Sequence, residues 1–241
     1  MLGIYWGLLG ADLRNIARDP LLLYIPLIPL LMAAALRLGL PAGSEALERL
    51  GFDLRPYYPL VAALFLYIVP ALVSLMVGFL LLDEKDERTV LALLVSPLLL
   101  SHFLIYRAAL PTVLGTAVTL LTFPLTGLAR VGWPELLLVC LLAALTGPVN
   151  ALFLAAFVAN KVAGLNVLKF VNLIMVLPVV AFLLPMPAQL WAGLVPHYWG
   201  MKVFVEAVEG KPYGVYALVA ALYSLLLIAL LLRQFRRSVH V

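Results

Sequence analysis

The side chains able to do chemistry are few and scattered. His102, His197 and His240 lack metal-ligand spacing and read as surface residues. Ser74, Ser101 and Ser224 stand outside any Gly-x-Ser-x-Gly turn of the kind that presents a nucleophile. Cys140 is the one cysteine, so neither an intramolecular disulfide nor a cysteine metal cluster can form. Phosphate chemistry would call for Gly-x-x-x-x-Gly-Lys-Ser/Thr, and the Gly-Lys pair, Gly210 and Lys211, has neither the upstream glycine nor the following hydroxyl residue. The expectation is no enzyme, no metal and no cofactor in this chain.

The sharpest feature is instead a run of charge. Asp83, Glu84, Lys85, Asp86, Glu87 and Arg88 are followed by Thr89, Val90, Leu91, Ala92, Leu93, Leu94, Val95, Ser96 and Pro97. At about 2.5 kcal/mol or more for each charge, taking all six into hydrocarbon would cost on the order of 15 kcal/mol, so the run is expected in water. Acidic residues ahead of an apolar stretch offset a helix N-terminal dipole, and Pro97 stops the helix. The pattern predicts a short surface helix over roughly Glu87–Ser96, with Val90, Leu93, Leu94 and Pro97 on one face and Ser101 capping the next long helix.

Uncharged polar groups inside apolar runs are the other candidates. Thr112, Thr116 and Thr119 share one helix face with Gly115 beside them, and Asn150 and Asn172 interrupt later runs. Such residues either line a substrate path or let helices approach and hydrogen-bond one another. No Asp, Glu, Lys or Arg is read as lying well inside a span, which leaves a proton or ion relay without a carrier.

The elements that position these residues follow from composition. Of 241 residues, 65% are hydrophobic and 12% charged, where a soluble domain carries about 25% charge. Six stretches free of Asp, Glu, Lys and Arg, each 17 to 32 residues long, match the roughly 20 apolar residues needed to cross a bilayer. They predict an all-α integral membrane protein, one transmembrane domain over residues 1–241, with about six spans near 20–38, 57–82, 104–126, 135–158, 168–184 and 213–232. The longest stretch is broken by Pro178, Pro185, Pro187 and Pro196 and is split near Leu184, because a proline removes a backbone donor that lipid cannot replace. Its second part, Pro185–Gly200, carries His197, Trp191, Tyr198 and Trp199 and is expected at the membrane interface or dipping in and out of it. Pro41–Arg55 reads as the longest polar joint, and no cleaved leader is expected at the start.

Six spans put both termini on one side. Placing them in the cytoplasm collects Arg14, Arg18, Lys85, Arg88, Arg107, Lys161, Lys169, Arg233, Arg236 and Arg237 inside, ten basic residues against six outside. The net charge of +4 is thereby spent on membrane anchoring rather than gathered into a patch, so the bilayer and not nucleic acid is the expected partner.

With these residues in view, Asp83–Ser101 resembles the signature loop of type-2 ABC transporter permeases, where a Glu-Lys-Glu-rich segment precedes Thr, an apolar helix and Ser-Pro or Thr-Pro. Arg88-Thr89 stands where that family often has Gly-Thr. Leu8–Leu23 is similar to the amphipathic helix that precedes the first span in the family, and Lys161–Pro185 resembles the region between the fourth and fifth spans of drug exporters, fluoroquinolone-export types included. The resemblance implies a short cytoplasmic coupling helix, with Glu84, Glu87, Arg88, Thr89, Val90, Leu93, Leu94, Ser96 and Pro97 facing a separate ABC ATPase subunit that binds the ATP and Mg. It implies a second permease half, identical or not, in the cell's inner or plasma membrane, and export of a lipophilic or amphipathic molecule, a drug or a lipid-like compound. The competing reading is a polytopic scaffold or assembly factor that transports nothing.

Overall fold

Long apolar runs with no internal partner strand close their backbone hydrogen bonds only as helices, and helices are what the chain forms. The computed structural model describes residues 2–86, 100–158 and 161–239. Helix α1 (Leu2–Arg18) carries polar and apolar residues on opposite faces. It leads into the short α2 (Pro20–Tyr24), a 3-10 turn at Ile25–Leu27 and α3 (Ile28–Glu48). After these come α4 (Tyr58–Asp86), α5 (Leu100–Thr126), α6 (Trp133–Phe157), α7 (Lys161–Ala181), a 3-10 stretch at Ala188–Leu194, α8 (Pro196–Val208) and α9 (Gly214–Val239). Among the described residues there is no strand.

Among the described residues, five segments are long and apolar enough to cross a membrane: Leu22–Glu48, Arg55–Glu84, Ile105–Thr126, Trp133–Phe157 and Gly214–Phe235. Helix α7 stands where the fifth of the expected spans falls, and at 1.5 Å per residue it is about 30 Å long, the thickness of a hydrocarbon core. The chain is an all-α, multi-pass membrane protein.

The centre of the bundle is α4, which packs most extensively on α6 and then on α5. Ala62, Phe65, Leu66 and Tyr67 of α4 meet Val139, Cys140 and Ala143 of α6 and Met201 and Phe204 of α8 in one fully buried core. Small residues set the spacing: a Cβ added at Gly115 would lie 3.3 Å from Pro70 Cβ, and one at Gly147 would lie 3.2 Å from Pro111 Cβ. The periphery is apolar as well, with Leu173 and Ile174 on α7 and Leu218, Leu222 and Leu226 on α9 exposed, as helices facing lipid must be.

Two expectations give way here. Pro41–Arg55 is not a polar joint over its full length, because α3 continues through Pro41 to Glu48. A proline costs one backbone hydrogen bond and bends a helix without necessarily ending it. Pro185–Gly200 adopts the second of its two options: the chain turns back after Ala188–Leu194 and α8 enters the bundle against α4, α6 and α9. His197 is therefore not a surface residue. It is 5% exposed, lies edge-on to the Tyr67 ring at 5.4 Å, and neither of its ring nitrogens has a hydrogen-bond partner. Gly210, at φ +67°, ends α8 in the left-handed conformation that glycine adopts freely and lets α9 start in the opposite sense.

Candidate functional site

The charged run starts on α4, which ends at Asp86, and α5 starts at Leu100. Of the residues expected to contact an ATPase, Glu84 lies on α4. Glu87, Arg88, Thr89, Val90, Leu93, Leu94, Ser96 and Pro97 fall outside the described residues.

Glu84 is not in water as the charge run implied. Its side chain is 15% exposed and turned inward onto Arg107, two turns into α5. Arg107 is 1% exposed, and all three of its guanidinium nitrogens donate to carboxylates. Nη1 and Nη2 reach the two oxygens of Asp12 at 2.8 and 2.9 Å, the bidentate geometry a planar guanidinium favours. Nε reaches Glu84 Oε2 at 3.1 Å, and Nη2 also bonds Glu84 Oε1. The Tyr106 hydroxyl donates to Asp12 Oδ2 at 2.6 Å, and the rings of Phe103 and Tyr106 lie 5.3 and 5.4 Å from the guanidinium carbon. One cation and two anions from α1, α4 and α5 are thus held together out of water at the end of the bundle where the chain leaves α4. The expectation that Arg107 serves as a basic anchor at the surface is corrected: with two carboxylates in reach its charge is compensated by protein rather than by headgroups or water.

A cavity of about 320 Å³ lies between α4, α6 and α7, beside the middle of α4. Leu64, Ile68, Leu72, Leu75, Leu154 and Met175 make its wall apolar, and Ser74 and Asn150 bring polar groups to it. The Ser74 hydroxyl donates to the Ala71 carbonyl at 2.8 Å. Asn150, singled out from the sequence as a path residue, is therefore on the cavity wall. Thr112, Thr116 and Thr119 are not among its lining residues, and their hydroxyls donate one turn back to the carbonyls of Ala108, Thr112 and Gly115 at 3.3, 2.8 and 2.6 Å. The close approach to α4 at this level is made by Gly115, against Pro70. Asn172 lies on α7, and its side chain is outside what the structure describes.

At the opposite membrane end, Lys202 on α8 is 6% exposed. Its Nζ donates to Glu206 Oε1 at 2.8 Å and Gln189 Oε1 at 3.3 Å, and it lies 5.7 Å from the ring centres of Phe182 and Tyr216. Gln189 in turn donates to the Leu184 carbonyl at 2.8 Å, so the network ties the 3-10 stretch and the end of α7 to α8. Among the described residues no group of His, Cys, Asp and Glu has metal-holding geometry.

Sequence reasoning singled out Glu84 and Asn150 as candidates but did not join Glu84 to Asp12, Tyr106 and Arg107, which the structure brings together. A signal for Arg107 was present: it falls inside the expected span 104–126, and a charge within a span requires a partner. Nothing in spacing identifies that partner as Asp12, 95 residues earlier.

The family model described as fluoroquinolones export permease protein Rv2686c-like matches residues 12–232. Two curated relatives, the fluoroquinolones export permease proteins MT2760 and Rv2686c of Mycobacterium tuberculosis strains CDC 1551 and H37Rv, are each 33% identical over 229 residues, which is 93% of this chain and 91% of theirs. No solved structure matches.

Proposed function

We propose, because this chain belongs to the Rv2686c-like fluoroquinolone export permease family, that it is the membrane half of an ATP-driven exporter of lipophilic or amphipathic molecules. A permease subunit of an export system follows from family membership; the energy source, the substrate and the orientation are our reading. The observation that carries it is the cavity between α4, α6 and α7, an apolar chamber with two polar groups in a membrane protein. Binding sites for small amphipathic molecules have this make-up, mostly apolar walls with a few placed polar groups. Ser74 and Asn150 would orient the polar part of a substrate while the leucines take its apolar part. The relatives' names say that those proteins export fluoroquinolones, and we extend to this chain a planar, amphipathic drug of that kind.

Energy enters at the other end of α4. Both termini are cytoplasmic in this reading, and a separate ABC ATPase, which binds the ATP and Mg, presses on the segment Arg88–Val95 through Glu87, Arg88, Thr89, Val90, Leu93, Leu94, Ser96 and Pro97. A second permease half, a copy of this chain or a relative, completes the pathway.

Two outcomes test this. Leu93→Asp and Glu87→Ala leave membrane insertion intact, abolish export and weaken ATPase co-purification; undiminished co-purification with Leu93→Asp removes the coupling role. Ala71→Phe extends a ring into the cavity and lowers export about tenfold while the ATPase still co-purifies, since a filled pocket excludes its ligand without touching the coupling face. Export at the unsubstituted level by Ala71→Phe would mean that the substrate travels elsewhere.

A further inference from the structure

We propose that Asp12, Arg107 and Glu84 are positioning residues for coupling: their clasp binds the two helices that flank the charged loop to each other and to α1, so that displacement at the loop moves α1, α4 and α5 as one body. This rests on the ATPase reading for its consequence, although the clasp itself stands on geometry. Glu84 precedes the loop on α4, Arg107 follows it on α5, and Asp12 lies on a helix that neither adjoins in sequence. Without a tie across them, a push between the ends of α4 and α5 would spread the helices apart and be dissipated there. A guanidinium on α5 that donates to carboxylates on α4 and α1 resists that spreading, and buried charged hydrogen bonds resist it better than exposed ones.

The clasp is asymmetric. Both carboxylates accept from two guanidinium nitrogens, but the Asp12 side chain is 3% exposed and also accepts from Tyr106, whereas that of Glu84 is 15% exposed. The Asp12–Arg107 pair is therefore the fixed half that anchors α5 on α1. Glu84 is the half through which motion of α4 is transmitted.

The test uses the full chain with its co-purifying ATPase in nanodiscs. Glu84→Gln keeps the shape and removes the charge. The ratio of substrate-stimulated to basal ATP hydrolysis is expected to fall about tenfold, the weight of one charged hydrogen bond, with the complex still assembled. In the same background Cys140→Ala leaves the chain without a thiol, and a cysteine placed at Lys85 reports on α4: its labelling by a polar maleimide should accelerate about tenfold in Glu84→Gln, because the end of α4 is untied. Glu84→Asp keeps the charge on a shorter stem and should retain more of both readouts than Glu84→Gln does. Unchanged stimulation together with unchanged labelling in Glu84→Gln overturns the clasp. Accelerated labelling without any co-purifying ATPase in the unsubstituted protein would keep the clasp and overturn the ATPase reading instead.

Discussion

Arg107→Met is expected to remove the chain from the membrane almost entirely. The substitution keeps bulk and apolar character, so the loss is electrostatic: two carboxylates, Asp12 and Glu84, are left in a buried site whose cation has gone. Breaking such a group by deleting one partner costs about 3–5 kcal/mol, against a total stability of about 5–15 kcal/mol for an ordinary domain. The ratio of folded to unfolded chain falls by two or more orders of magnitude, and quality control degrades the enlarged unfolded fraction. The measurement is the amount of folded protein recovered in mild detergent, with its melting temperature. The same reasoning gives the opposite sign for a neutral triple, Asp12→Asn, Glu84→Gln and Arg107→Met. Because a desolvated charge group replaced as a whole is often isoenergetic, this variant should recover most of the lost protein. An Arg107→Met chain that accumulates and melts like the unsubstituted one would show that Asp12 and Glu84 reach water.

That cluster also marks where sequence reading stops. Length and charge-free runs locate spans because the bilayer imposes one thickness on all of them, and helix ends near Glu84, Thr126 and Phe157 were legible on that ground alone. Partners across 95 residues of sequence are set by how helices assemble, and that carries no local signature. Asp83–Arg88 looked like six solvated charges since hydropathy adds them one by one. The structure turns Glu84 inward onto Arg107, whose charge offsets the cost of burying it.

Proline misleads at one place and not at another for a related reason. Pro41 was read as the start of a joint, yet α3 runs through it. The cluster from Pro178 onward was read as a break, and the helix does stop at Ala181, three residues beyond the first proline. A single proline removes one donor, which a helix tolerates; several in succession with Met186 and Gln189 between them do not rebuild the ladder. The polar residues within spans divide similarly. Threonine can satisfy its hydroxyl on its own helix, and Thr112, Thr116 and Thr119 do so. Asparagine has a longer amide with both donor and acceptor, and Asn150 brings it to the cavity wall.

Gly200→Ala should be the most damaging single methyl in the chain. In an exposed helix the change would help by about 1 kcal/mol, because alanine is the better helix former. Here the new Cβ would stand 1.6 Å from the Tyr67 hydroxyl oxygen and 2.9 Å from Cζ, separations that no packing allows. Tyr67 is 1% exposed, in the middle of α4, and has no open space to retreat into, so α8 itself must withdraw. Overpacking in a dense core costs about 1–3 kcal/mol when neighbours can adjust, and the rigid neighbours here put the cost at or above the upper end, well beyond the helix gain. Withdrawal of α8 also disturbs His197 and the Lys202–Glu206–Gln189 network, which are held by the same helix. The purified protein is expected to melt well below the unsubstituted chain, and Tyr67→Phe in the Gly200→Ala background should regain part of the difference by removing the nearer of the two clashing atoms. If Gly200→Ala instead melts at or above the unsubstituted temperature, α8 does not fold back onto α4. Pro185–Gly200 then lies on the membrane surface, the other course its aromatic residues allowed.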